Sequence, residues 1–134
     1  EEYSHVIHIV SNLRGRLRQG IDLVEVIRAM FPGGTITGCP KVRCMEVIHE
    51  LEPAARGFYT GSCGYLGFDG SMDLNLLIRT LVLQSGQVSF HVGAGIVADS
   101  RPDREYHETL AKAAALVSAL HTASAGVSND ITVG

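Results

Sequence analysis

The apolar positions of this chain change period three times, from a short strand-like start through helices to a strand-forming middle and a helical end. Val6 to Val10 is a β-branched run with histidine interleaved, and Asn12 to Gly15 supplies a turn, so a strand ending near Leu13 is predicted. Asp22 and Glu25 then stand at capping-box spacing, and Leu23, Val26, Ile27 and Met30 recur at i, i+3, i+4 and i+7 on one helical face. Pro32-Gly33-Gly34 stops that helix. Pro40 is placed as the first residue of a second, whose Val42, Met45 and Ile48 form an apolar stripe while Lys41 and Arg43 point elsewhere. Pro53 closes it.

Between Gly57 and Val92 the pattern is that of strands. Turn signals at Asp69-Gly70 and Ser85-Gly86 predict three antiparallel strands, Phe58 to Phe68, Met72 to Leu83 and Gln87 to Val92. In the middle strand, alternation sets Asp73, Asn75 and Arg79 on one face and Met72, Leu74, Leu76 and Ile78 on the other. A last helix is predicted from about Asp103 to Leu120, with Tyr106, Leu110, Ala113, Val117 and Leu120 as its apolar stripe. The following stretch is small, polar and without period, so residues 121–134 are expected to form a flexible tail. There is no internal repeat.

Composition narrows the classes. With 134 residues, 46% of them hydrophobic, the chain is expected to bury one core in one domain. A net charge of −3 argues against non-specific nucleic-acid binding, which needs a basic surface. No apolar run is long enough to span a bilayer and no signal-peptide pattern opens the chain, so a cytoplasmic protein without membrane contact is expected. Cys39, Cys44 and Cys63 are odd in number and lack CxxC spacing, which reads as reduced, semi-buried thiols. The chain begins without methionine inside a strand-like run, and a fragment of a longer polypeptide is expected.

Phe31 to Cys44, FPGGTITGCPKVRC, combines a glycine turn, two threonines and a proline-opened basic helix. Backbone N–H groups and cations exposed together suit an anion. Gly93 to Ala98 matches the dinucleotide fingerprint G-x-G-x-x-A in letters, but Asp99 to Pro102 intervenes before any helix and no parallel βαβ unit surrounds it. Gly33 and Gly38 have P-loop spacing, yet Cys39 stands where a lysine is required. Both nucleotide readings are rejected. What survives is close approach of an anion to the N–H groups around Gly93 and Gly95; a plain strand-ending turn explains one glycine comfortably and both less well.

On the last helix Glu105, Glu108 and Lys112 share a face. Two carboxylates one turn apart suit a hard cation such as magnesium, whereas a solvated face carrying a Glu108–Lys112 pair is the plainer alternative. His8, Arg79 and Tyr59 each have a structural alternative too: a hydrogen-bonded core histidine, an ion-pair partner and a packed aromatic. His5, His49, His91, His107 and His121 show no metal-ligand spacing with one another.

The blocks VIHIVS, PGGTITGCPKVRCMEVI, GFYTGSCGYL, MDLNLLIRTL, VGAGIVADS and EYHETLAK, in this order and covering nearly all of Glu2 to Leu120, resemble the C-terminal part of the chorismate-utilising enzymes. That family includes component I of anthranilate synthase and of aminodeoxychorismate synthase. The resemblance implies an α/β (α+β) fold of antiparallel sheets with outer helices, residues 1–120 being the C-terminal portion of a chorismate-binding domain. It implies that His8 is the active-site histidine, near the ring hydroxyl that leaves, and that Thr35 contacts the substrate ring region. Tyr59, Arg79 and the Gly93-Ala94-Gly95 backbone would receive a chorismate carboxylate. Glu108 would be a magnesium ligand, Glu105 its partner through a metal-bound water and Lys112 a neighbouring cation. The chemistry is coherent, because chorismate is a dianion that needs cations and N–H donors, and magnesium on the ring carboxylate eases loss of the hydroxyl.

Within the family, GCPKVR resembles the GAPKVR block of the ammonia-using members. PGGTITG with MDLNLLIRT looks more like aminodeoxychorismate synthase, which moves ammonia to C4 in folate synthesis. Anthranilate synthase, which aminates C2 and expels pyruvate in tryptophan synthesis, is the close runner-up. The separating feature is an upstream PIKGT or PIAGT block, which lies outside this sequence together with an acidic helix that supplies another magnesium ligand. The expected partners are chorismate, ammonia and a glutamine amidotransferase subunit, with the 134 residues inactive alone. A noncatalytic structural or interaction module is the reading from a different class.

Overall fold

The computed structural model describes residues 2–3, 6–7 and 11–124. Its first elements are the short antiparallel strands β1 (Glu2–Tyr3) and β2 (Val6–Ile7), paired Glu2 with Ile7 and Tyr3 with Val6. The rest of the strand expected up to Leu13 falls partly on residues 8–10, outside the described residues, and residues 11–13 are irregular.

Helix α1 (Leu23–Met30) forms where its cap and stripe predict. The Asp22 carboxylate accepts from the Glu25 N–H at 2.8 Å, and the Glu25 carboxylate accepts from the Asp22 N–H at 3.1 Å, so two otherwise orphaned donors are satisfied. A single-turn helix absent from the sequence reading, α2 (Gly34–Thr37), follows at once and ends at Gly38, whose φ of 89° a side chain would resist. Helix α3 (Lys41–Leu51) starts one residue later than expected, because Pro40 stays extended as its N-cap. Lys41 folds back and donates to the Ala29 and Met30 carbonyls, both at 3.4 Å, so its charge serves the C-terminal end of α1. Arg43 pairs with Glu46 at 2.9 Å and Glu50 at 3.6 Å. The two cations expected to serve an anion are therefore engaged by the chain itself.

The expected three-stranded meander is instead two separate hairpins. Strands β3 (Ser62–Leu66) and β4 (Met72–Leu76) pair antiparallel from Ser62–Leu76 to Leu66–Met72, around a turn in which the Asp69 carboxylate accepts from the Ser71 N–H and hydroxyl. Strands β5 (Val82–Gln84) and β6 (Gln87–Ser89) pair through a two-residue turn with positive φ at both Ser85 and Gly86. The middle strand breaks because Arg79 has φ 52°, a left-handed conformation that interrupts the pleat. Arg79 consequently does not share a strand face with Asp73 and Asn75.

Helix α4 (Pro102–Ser124) begins with proline at its first position and runs four residues beyond Leu120; residues 125–134 of the expected tail lie outside the described residues. The expected core is not present: among the described residues no side chain is buried. Three two-stranded sheets give the helices no layer to pack on, so the Leu23, Val26 and Ile27 stripe is half-buried and Met30, Val42 and Tyr106 stay exposed. The chain exposes 11491 Å², against about 6,800 Å² for a compact chain of its mass. Cys39 and Cys63 are exposed and Cys44 half-buried, all three as free thiols, so the semi-buried expectation fits only Cys44. No helix among the described residues is long and apolar enough to cross a membrane.

Candidate functional site

Tyr59 sits on the loop that enters β3. The next residue, Thr60, is β-branched yet has φ 64°, and it is held there by its N–H donating to the Leu77 carbonyl at 2.8 Å. Leu77 in turn donates to the Gly61 carbonyl at 2.9 Å, so the edge of the hairpin fixes the point from which Tyr59 departs. Its ring stacks on His91 with centroids 5.5 Å apart and planes 14° from parallel. Its hydroxyl reaches Gly93, where a Cβ would lie 2.7 Å from the phenol oxygen, which explains physically why this position carries no side chain.

The other side of the Gly93 turn is held from α4. The Lys112 ammonium donates to the Gly93 carbonyl at 3.3 Å and pairs with the Glu108 carboxylate at 2.6 Å. One lysine thus joins the glycine turn to the carboxylate face of the helix. Among the described residues no hydrogen bond takes up the N–H of Gly93, Ala94 or Gly95, so the turn that approaches the Tyr59 hydroxyl at Gly93 keeps its donors free.

One turn before Glu108, Glu105 is half-buried and its Oε2 is shielded from solvent with no hydrogen-bond partner. A shielded carboxylate oxygen without a donor is costly, and a cation relieves that cost. The donor set therefore fits one edge of a magnesium site: Glu105 supplies an open acceptor and Glu108 a carboxylate already balanced by Lys112. It is not a complete shell, since no cluster of three or more metal-ligating side chains occurs among the described residues.

The remaining candidates are not brought to this point. Thr35 is exposed on α2, Arg79 is exposed on the segment between β4 and β5, and His8 lies outside the described residues. Arg79 forms no ion pair among the described residues, so its structural alternative finds no partner there. A cleft of about 240 Å³ is walled by Arg56, Tyr59, Thr80 and His91, and neither carboxylate of α4 lines it. The convergence through Gly93, rather than this cleft, marks the site, because it joins charged and N–H-bearing groups.

Residues missed in the sequence surround Tyr59. The Arg56 guanidinium lies 5.6 Å from the Tyr59 ring centroid and donates to the Thr60 hydroxyl at 3.3 Å. It also forms a forked contact to Glu52, with Nε at 2.9 Å from Oε2 and Nη2 at 2.5 Å from Oε1. That hydrogen bonding holds the Glu52 carboxyl below the usual carboxylate range against the opposing effect of its burial, and it raises the Arg56 guanidinium in turn. The i, i+4 spacing of Glu52 and Arg56 was available as a signal, but Pro53 between them masks it.

At Gly93 a turn with free N–H donors meets a phenol and a lysine that pairs with Glu108, groups of the kind that can receive a small anion. The comparison with known proteins sharpens this: residues 1–118 match the family of chorismate binding enzymes, and the chain belongs to that family. It is 58% identical to an anthranilate synthase component I-like protein of Synechocystis sp. over 120 residues, 90% of this chain and 25% of that protein. It is 54% identical to aminodeoxychorismate synthase component 1 of Bacillus subtilis over 120 residues, 90% of this chain and 26% of that protein. It is 49% identical to anthranilate synthase component 1 of Acinetobacter calcoaceticus over 127 residues, 95% of this chain and 26% of that protein. The chain spans about a quarter of the length of these curated relatives.

Proposed function

We propose that these residues supply part of the chorismate site of a magnesium-dependent enzyme that aminates chorismate at C4 with ammonia, giving 4-amino-4-deoxychorismate. The observation that carries the reading is the meeting of the Tyr59 hydroxyl, the Gly93 turn and the Lys112–Glu108 pair, which sets N–H donors and a cation where a carboxylate of the substrate can sit. In this reading Tyr59 and the N–H groups of Gly93, Ala94 and Gly95 hold that carboxylate, while Arg79 and Thr35, which lie apart from them in this structure, would add a cation and a contact to the ring region. His8 stands near the hydroxyl that leaves. Glu108 and Glu105 would hold magnesium, which when bound would supply charge neutralisation that eases departure of that hydroxyl. Lys112 keeps Glu108 and the glycine turn in register.

Amination at C2 with loss of pyruvate, giving anthranilate, is the second reading, favoured by the names of two of the three relatives above. Incubating the intact polypeptide with chorismate, magnesium and ammonia separates them by product. Accumulation of 4-amino-4-deoxychorismate supports the first reading, and anthranilate with pyruvate the second. Glutamine is expected to replace ammonia only when a separate amidotransferase subunit is added. The 134 residues alone are expected to form neither product, since positioning is lost when part of a constellation is missing.

A further inference from the structure

Three contacts converge on the loop carrying Tyr59, and each restrains something different. Glu52 fixes Arg56 through a fork, which defines the plane of the guanidinium as well as its position. Arg56 then reaches over the Tyr59 ring and on to the hydroxyl of Thr60, the residue whose left-handed backbone sets the direction in which Tyr59 leaves the chain. A β-branched residue persists in that conformation only where its surroundings over-determine it, and the Arg56 contact joins the Thr60 N–H bond to the Leu77 carbonyl and the Thr60 hydroxyl bond to the Tyr59 carbonyl in doing so. His91 stacks on the same ring two residues before Gly93, so ring and turn are tied together.

Arg56 is partly buried, as Tyr59 and Thr60 are, with its side chain 22% exposed, and it carries a fixed positive charge beside a phenol. A cation against an aromatic ring draws electron density from it, and the phenol O–H becomes a better donor to an anion.

We infer that Arg56, oriented by Glu52, is a positioning residue for Tyr59: it holds the phenol O–H toward the Gly93 turn and strengthens it as a donor to a substrate carboxylate. The inference rests on the proposed role of Tyr59 in holding chorismate, and it assigns the Glu52–Arg56 pair to substrate affinity rather than to the fold alone.

A kinetic double-mutant cycle in the intact polypeptide tests it, with chorismate KM and kcat measured for the parent, Tyr59→Phe, Arg56→Met and the double variant. Methionine keeps the apolar stem and removes the charge. Tyr59→Phe is expected to raise KM about tenfold or more, from loss of a hydrogen bond to a charged group. Arg56→Met is expected to raise KM about three- to tenfold with little change in kcat, and to have almost no further effect in the Tyr59→Phe background. Equal effects of Arg56→Met in both backgrounds, or none in either, would overturn the inference while leaving the role of Tyr59 intact. An unchanged KM in Tyr59→Phe would overturn the site reading itself, and this inference with it. If Arg56→Met does not fold, as judged by its unfolding transition, Glu52→Gln takes its place in the same cycle with the same two outcomes.

Discussion

Replacing Gly93 by alanine is expected to have opposite consequences depending on a single atom of Tyr59. A Cβ at position 93 would lie 2.7 Å from the phenol oxygen, while the next Tyr59 atom, Cζ, is 3.8 Å away, an ordinary contact. The hydroxyl would have to retreat by roughly 0.5–0.7 Å to reach a normal separation. It cannot do so freely, because the ring is stacked on His91 and lies against Arg56. Overpacking of this kind costs about 1–3 kcal/mol, and the exposed edge of the site places the expected cost near the lower end, about 1 kcal/mol. The backbone of Gly93 is not left-handed, so alanine is otherwise tolerated there and narrows the unfolded ensemble by about 0.4–1 kcal/mol. Gly93→Ala alone should therefore be neutral to mildly destabilising, whereas Gly93→Ala made on top of Tyr59→Phe should be stabilising. Urea unfolding of the four proteins of this cycle, as intact polypeptides, gives both numbers. The same shift of Gly93→Ala in the two backgrounds would refute the reasoning, since the phenol oxygen would then not occupy the space that glycine leaves.

Other outcomes follow from the same contacts. Glu108→Gln should abolish magnesium-dependent turnover with little change in the unfolding midpoint, because a half-exposed i, i+4 pair contributes little to stability; unchanged magnesium dependence would remove Glu108 from the metal. Arg79→Ala should raise chorismate KM about tenfold to a hundredfold if its charge meets a carboxylate, and normal kinetics in a folded variant would deny it that contact. The depressed Glu52 carboxyl contributes stability at neutral pH that is lost as pH falls through its lowered folded value. Stability of the parent should therefore converge on that of Glu52→Gln in acid, and an undiminished difference there would show that the Arg56 contact is not its source.

Helices α1, α3 and α4 were legible because their signals are local, whereas the single turn of α2 was not. Asp22 with Glu25 and the stripe from Leu23 to Ile27 specify α1 without reference to anything distant, and the turn residues specify both hairpins. The break at Arg79 was not legible: arginine has no preference for positive φ, and a run of alternating residues reads as one strand until the backbone is seen. The partners of the two cations at the first glycine turn were not legible for a related reason. Composition gathers Lys41 and Arg43 beside it, but only the structure shows that one caps α1 and the other pairs with Glu46 and Glu50. Arg56 was missed because its importance lies in what it touches, Tyr59 and Thr60 among them, rather than in any spacing.

The last helix offered two readings that looked exclusive, a metal face and a solvated face with a Glu108–Lys112 pair. The geometry shows the pair and leaves room for the proposed metal beside it. The pair forms, and because Lys112 also donates to the Gly93 carbonyl it turns one charged side chain toward the glycine turn instead of leaving it in solvent. What the pair does not do is satisfy Glu105, whose shielded Oε2 has no donor. On a purely solvated face Glu105 Oε2 would be expected to turn to water, since leaving such an acceptor unpaired costs about 1–3 kcal/mol. A shielded acceptor one turn from a carboxylate that Lys112 links to the Gly93 carbonyl is an arrangement a hard cation would relieve, and that is the support the geometry lends to the proposed magnesium role of this helix.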